Sequence, residues 1–242
     1  MILRVFRYEP GAREGTQEYE VGVGPAVTVL DALVEIQRTL DPTLAFRYAC
    51  RVGMCGSCAM VVNGRERWTC RTRLATLGAG PVTVRPLYHF PLVRDLVVDM
   101  APFAEKMRAA GAAFVPREPG AGFALIGSGS RERARIDPAI ECIGCGACLS
   151  ACTMVGRDPN FLGPAALTRA FTAAADSRDG RLGARWAALF GEDGVFRCHG
   201  QQTCTEVCPM GLEPSQAIRR LRRMGLGAIF PFGSWRSEGR CA

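Results

Sequence analysis

Apolar and polar residues alternate from Ile2 to Tyr8 and again from Tyr19 to Val23, which predicts two strands joined through a turn between Gly11 and Gly15. The period then lengthens. Thr28, with Asp31 three residues on, reads as a helix cap; Val29, Leu30, Leu33, Ile36 and Leu40 mark the buried face, and Pro42 ends the helix. Strand patterning returns at Ala59 to Val62, turns at Asn63-Gly64, and runs back to Cys70, with a last strand at Val82 to Arg85 before Pro86. From Pro86 to Asp99 the chain is expected to leave the sheet and start a helix. A Pro/Gly-rich connection follows from Pro116 to Gly129 and ends in the basic segment Arg131 to Arg135. Beyond it, apolar residues recur at helical spacing over Pro164 to Ala175, Arg181 to Phe190 and Pro214 to Met224. The change of period divides the chain near residue 100, into residues 1–100 and 101–242.

With 242 residues the chain has enough length to bury cores in both parts. No uninterrupted apolar stretch approaches the roughly 18 residues needed to cross a bilayer. The segment from Met1 to Arg7 lacks the apolar core of a signal peptide. Work at a membrane would therefore run through partners. Twelve cysteines without an export signal point to metal thiolates in a reducing compartment rather than to disulfides. The formal charge of +7 would suit an acidic partner, but three bound clusters of about −2 each would nearly cancel it. Nucleic acid is not implied.

Cysteine spacing carries the chemistry. Cys50, Cys55, Cys58 and the later Cys70 have the C-x4-C-x2-C…C pattern of a [2Fe-2S] site. Gly53 and Gly56 let that loop fold closely and turn backbone N–H groups toward sulfur. Cys142, Cys145, Cys148 and Cys152 have the C-x2-C-x2-C-x3-C spacing of cubic clusters, in which the fourth thiolate serves the neighbouring cluster. Cys198, Gln201, Cys204 and Cys208 repeat the spacing with glutamine at the second position. Exchanging the fourth cysteines gives Cys142, Cys145, Cys148 and Cys208 for a [4Fe-4S] cluster. Cys152, Cys198 and Cys204 remain, and they suit a [3Fe-4S] cluster whose missing corner faces Gln201. Structural zinc is the alternative, with His199 available as a ligand. Cys241 is left over as a spare thiol. These sites imply an α+β chain: an N-terminal β-grasp domain of the [2Fe-2S] ferredoxin type and a C-terminal α-helical ferredoxin domain.

Three other features stand out. Arg219, Arg220, Arg222 and Arg223 form either a solvated helix face or a surface for lipid headgroups or an acidic partner. The aromatic tail 229–235 could dock on a membrane anchor or pack on its own domain. His199, next to a cluster cysteine, could hydrogen-bond a quinone and pass it a proton, or donate to a cluster sulfide.

The cysteine framework, together with the segments LDPTLAFR (40–47), FPLVRDLVVD (90–99), LGPA (162–165), DSRD (176–179), Cys198-His199 and CPMGL (208–212), resembles the iron-sulfur subunit of the succinate dehydrogenase and fumarate reductase family. The resemblance implies an oxidoreductase subunit with no catalytic residue of its own. It would pass single electrons between an FAD-bearing subunit and quinone at a membrane anchor, on the cytoplasmic face of the cell membrane, with His199 near the quinone. A wire serving a different flavin dehydrogenase, or a thiol-linked fumarate reductase, is the alternative. The chain departs from the family at residues 153–159, where Thr153 stands in place of a common proline and no tryptophan follows.

Overall fold

The structure is a computed structural model that describes residues 1–229, apart from residues 23, 119, 121 and 124. The aromatic tail and Cys241 lie outside the described residues. Five strands form one sheet: β1 (Ile2–Glu9), β2 (Arg13–Glu20), β3 (Ala59–Val62), β4 (Arg65–Trp68) and β5 (Val82–Arg85), in the order β2-β1-β5-β3-β4. β1 and β5 run parallel at the centre and the outer pairs are antiparallel. Leu3 and Val5 of β1, Met60 and Val62 of β3 and Val82 and Val84 of β5 share a core with Val29 and Leu33 of helix α1 (Val29–Glu35) and with Ile36 just beyond it. This is a β-grasp sheet with one covering helix.

The alternation also puts Arg7 on the core side of β1, where it is 1% exposed. It is fully partnered. Its Nε donates to Asp95 at 3.0 Å, and its terminal nitrogens reach Asp41, Tyr19, Gln17 and Thr43. Asp95 also accepts from the backbone of Tyr8 and Ala45 at 2.9 and 2.8 Å. A buried ion pair thus ties the segment leading into the first cysteine loop to the central strand. The carboxylates hold the guanidinium charge and raise its pKa against the opposing effect of burial, while hydrogen bonds from Thr43, Tyr19 and Arg7 keep the Asp41 carboxyl low, also against burial.

Several sequence expectations change. The second strand begins at Arg13 rather than Tyr19, because the turn is short, with Ala12 N–H donating to Glu9 at 3.0 Å. β2 is an edge strand whose residues are exposed except Tyr19, so no alternation marks its start. Leu40 leaves the buried face: after α1 the turn widens to a π-helical segment, Ile36–Leu40, and Leu40 is 55% exposed. Residues 92–98 do not start a helix. They form a hairpin, β6 (Leu92–Arg94) and β7 (Val97–Val98), that carries Asp95 into the core, and helix α2 begins only at Ala101 (Ala101–Ala109). The basic segment is a helix, α3 (Arg131–Ile140), capped by the Ser130 hydroxyl accepting from Arg133 N–H at 3.1 Å.

The C-terminal half is helical: α4 (Ala147–Ser150), α5 (Thr153–Arg157), α6 (Gly163–Ala174), α7 (Leu182–Phe190), α8 (Thr203–Glu206) and α9 (Pro214–Ile229). α6 is apolar on nearly all sides and buried accordingly, packing against α2, α3, α4, α7 and α9. Ala59, Leu87, Phe90 and Val98 join this second core, so the β-grasp half abuts it directly. Asp179 and Arg185, each about 1% exposed at the side chain, form an ion pair there. Arg185 also donates to the carbonyls of Gly111 and Ala113, both at 2.6 Å, and pins the connection after α2 to the helices. No helix among the described residues is long and apolar enough to cross a membrane.

Candidate metal centres

The first cysteine loop turns tightly. Arg51, Gly53 and Gly56 have φ of 60°, 77° and 72°, a region glycine enters without strain. The backbone N–H groups of Met54 and Cys55 both point at Cys50 Sγ, 3.3 Å away. Cys70 is brought back by the β3–β4 hairpin: the Cys58 carbonyl accepts from Thr69 N–H at 3.2 Å and from the Thr69 hydroxyl at 3.0 Å. Cys58 and Cys70 are buried at 3% and 7% exposure, whereas Cys50 and Cys55 are half-buried. Their acidities diverge as their surroundings do. The Ser57 hydroxyl and backbone N–H groups lower the Cys55 thiol to about 6, while burial beside Cys58 pushes Cys70 up to about 11. The loop's outer edge is apolar, with Val52 58% and Met54 68% exposed.

In the helical half, Cys142, Cys145, Cys148 and Cys208 line one cavity, together with Gly144, Ala165 and Leu212. Cys148 and Cys208, 60 residues apart in sequence, meet there. Gly144 and Gly146, at φ of 67° and 81°, turn the first run; a Cβ on Gly146 would lie 3.0 Å from the Phe90 ring. Burial, together with the charges of nearby Cys198 and Cys152, pushes the Cys204 thiol up to about 11. Cys148, half-buried, stands between the two groups, and burial together with the charges of Cys145, Cys142, Cys204 and Cys208 raises its thiol well above the usual range. Burial also raises Cys145 to about 11, and raises Cys142 and Cys152.

Gln201, at the position where the spacing lacks a cysteine, is exposed, and its side-chain oxygen accepts a hydrogen bond from the Thr153 hydroxyl. Gly200 N–H donates to Cys198 Sγ at 3.4 Å. His199 is exposed beside it.

The donor sets fit iron-sulfur clusters. Their sulfurs are soft, gathered in threes and fours, sheltered from water and supplied with backbone N–H donors. The zinc alternative asks for donors about 2.0–2.3 Å from a common centre. Among the described residues no group of three His, Cys, Asp or Glu side chains is gathered to hold a metal ion as the chain stands.

The structure also brings in residues that spacing did not mark. The four arginines after the last loop do not all face solvent: Arg222 donates to the carbonyls of Val195, at 2.9 Å, and Cys198. Arg220 donates to the Arg135 carbonyl at 3.1 Å and lies over the Phe171 ring. Lys106 reaches the carbonyls of Pro159 and Phe161 beyond Cys152. Ser150 donates to buried Glu66 at 2.7 Å and accepts from Tyr88 N–H at 2.8 Å, joining the two halves. A helical charge run signals a surface, and nothing in its composition marks which members turn inward.

Comparisons with known proteins agree with this arrangement. A family model described as a 2Fe-2S iron-sulfur cluster binding domain matches residues 2–105, and one described as a 4Fe-4S dicluster domain matches residues 138–212. The fumarate reductase iron-sulfur subunit of Mycobacterium tuberculosis is 37% identical over 225 residues, covering 92% of this chain and 91% of the relative. The fumarate reductase iron-sulfur subunit of Haemophilus influenzae is 37% identical over 239 residues, with 91% of each chain covered. Among solved structures, a chain of the Mycobacterium smegmatis Sdh1 complex in the apo form superposes with a TM-score of 0.84 at 31% identity, over 96% of this chain and 98% of that one.

Proposed function

The chain belongs to the family of fumarate reductase and succinate dehydrogenase iron-sulfur subunits, and from that premise we propose that it conducts single electrons between an FAD-bearing subunit and quinone at a membrane anchor. We assign Cys50, Cys55, Cys58 and Cys70 to a [2Fe-2S] cluster; Cys142, Cys145, Cys148 and Cys208 to a [4Fe-4S] cluster; and Cys152, Cys198 and Cys204 to a [3Fe-4S] cluster. The observation that carries this reading is the single cavity lined by the first three cysteines of one run and the last cysteine of the other. Bound clusters of these kinds change by one electron each, and so divide the pair that a flavin takes from succinate or gives to fumarate.

What the chain itself does is hold thiolates, exclude water and keep the sites close. Thiols pushed up to about 11 by burial, as at Cys145 and Cys204, release their protons when metal binds, so cluster assembly weakens as pH falls. Close approach is built at Gly56, where a Cβ would lie 2.6 Å from Cys145 Cβ; the two-iron loop therefore rests on the four-iron loop. The exposed apolar edge at Val52 and Met54 suits a flavoprotein docking beside the two-iron site. At the far end, exposed His199 beside Cys198 suits a hydrogen bond and proton transfer to quinone. We place the hand-over between the ferredoxin-like part and the dicluster part near residue 100, and the subunit as peripheral to the cytoplasmic face of the membrane, held there by its anchor.

An EPR-monitored redox titration of the intact complex, with its co-purifying subunits identified, tests the proposal. Three centres of the assigned types, together with an FAD protein, are expected. A count below three, or a partner other than a flavoprotein that oxidises succinate or reduces fumarate, would overturn it.

A further inference from the structure

Trp68 ends β4 at the place where the two halves of the protein meet. Pairing with Ala59 fixes its register, and its carbonyl accepts from the Thr72 hydroxyl at 2.7 Å. Side chains two apart on a strand share a face, so Trp68 lies on the same side of β4 as Glu66. Glu66 is the buried carboxylate that accepts from Ser150 of the helical half. The indole packs both against the small core that holds Cys58 and Cys70 and against the dicluster core that holds Cys145 and Cys148. A Cβ placed on Gly53 of the two-iron loop would lie 3.0 Å from Trp68 Cζ3. The ring therefore stands between the two loops.

Its polar end is unusual. Trp68 Nε1 is buried and has no partner at hydrogen-bond distance among the described residues, and a buried donor left unpaired is costly. Cys145 packs against the same core as the indole, and the two-iron loop that meets the ring at Gly53 meets Cys145 at Gly56.

We propose that Trp68 joins the two-iron and four-iron sites, its ring filling the gap between the loops while its Nε1–H donates to sulfur on the Cys145 side of the four-iron site and raises that centre's reduction potential. The inference rests on the cluster assignment above. Reduction adds negative charge to the cluster and its thiolates, and a donor aimed at sulfur favours the more negative state. Trp68 would thus adjust one step of the chain without being a ligand.

The test is a redox titration, by EPR, of the intact complex carrying Trp68→Phe, which keeps an aromatic ring and removes the N–H. The four-iron centre should lose electron affinity about tenfold, a fall of about 59 mV for a one-electron couple. The two-iron and three-iron centres should keep their potentials. An unchanged four-iron potential overturns the proposal. If the substitution disturbs assembly, the wild-type complex with 15N-labelled indole decides: a hyperfine coupling between the reduced four-iron centre and an indole nitrogen supports the proposal, and its absence overturns it. A wild-type complex without any four-iron spectrum would bring down the cluster assignment, and this inference with it.

Discussion

The proposed two-iron site and the two sites of the helical half meet the same demand, several thiolates around one inorganic core, over very different lengths of chain. Cys50 to Cys70 lie within one loop and one hairpin, so strand register and a few backbone hydrogen bonds bring them together. Cys142 to Cys152 and Cys198 to Cys208 are separated by α6 and α7, and each proposed set borrows its last sulfur from the other run. A local site survives damage elsewhere. An exchanged site depends on the whole helical packing and in turn helps to hold it together.

Cys208→Ser should break the comparison most completely. It removes a sulfur from the cavity shared with Cys142, Cys145 and Cys148, so the four-iron signal should vanish from EPR and the C-terminal half should lose protection from proteolysis. The two-iron signal should persist. Loss of both would show that the two-iron site is not assembled locally.

Gly56→Ala tests the seam between the halves. The left-handed backbone at Gly56 costs a side chain about 1–2 kcal/mol, and the new Cβ would also meet Cys145, for a total of about 3 kcal/mol. Gly64→Ala is the control: its φ is similar, 73°, but no atom lies within 4 Å of the added carbon, so only the backbone cost should appear. Equal losses in denaturant unfolding would refute the tight contact.

Gln201→Cys sharpens the contrast between the two exchanged sites. A thiol at the open corner, freed from the Thr153 hydrogen bond, should let the three-iron centre take a fourth iron, with little change in stability. Iron analysis and loss of the oxidised three-iron EPR signal are the readouts, and an unchanged signal would count against the ligand assignment.

The smallest effect belongs to the capping box of α1. Thr28 Oγ1 accepts from Asp31 N–H at 3.1 Å, while the Asp31 carboxylate accepts from Thr28 N–H at 3.0 Å. The hydrogen bond from the Thr28 hydroxyl is the main cause that holds the Asp31 carboxyl below its usual range. A lowered carboxyl stabilises the fold fully above its unfolded pKa of about 3.9, and that contribution disappears as pH falls through the folded value. Asp31→Asn should cost about 0.5 kcal/mol at neutral pH through loss of the charge in the helix's first turn, and the gap from wild type in unfolding followed by circular dichroism should close below about pH 4.

Much of the architecture was legible along the chain because its signals are local. The capping box, the Asn63-Gly64 turn, β3, β5, α6, α7 and the start of α9 are set by residues a few positions apart. The misread segments lacked such signals. β2 is an edge strand with almost nothing to bury, and the hairpin at residues 92–98 exists because Asp95 has a buried arginine to meet 88 residues away.

By itself, the sequence determined the thiolate spacings from which the kinds of site are proposed, since iron-sulfur ligation depends on thiolate identity and short intervals. Only the tertiary structure decided that Arg222 turns back to the Cys198 loop and that Trp68 stands between two loops with an N–H that has no partner among the described residues. Those outcomes follow from the packing of α9 against α6 and of β4 against α4. Burial fixes where a side chain points and which groups it meets, and spacing along the chain carries no record of that.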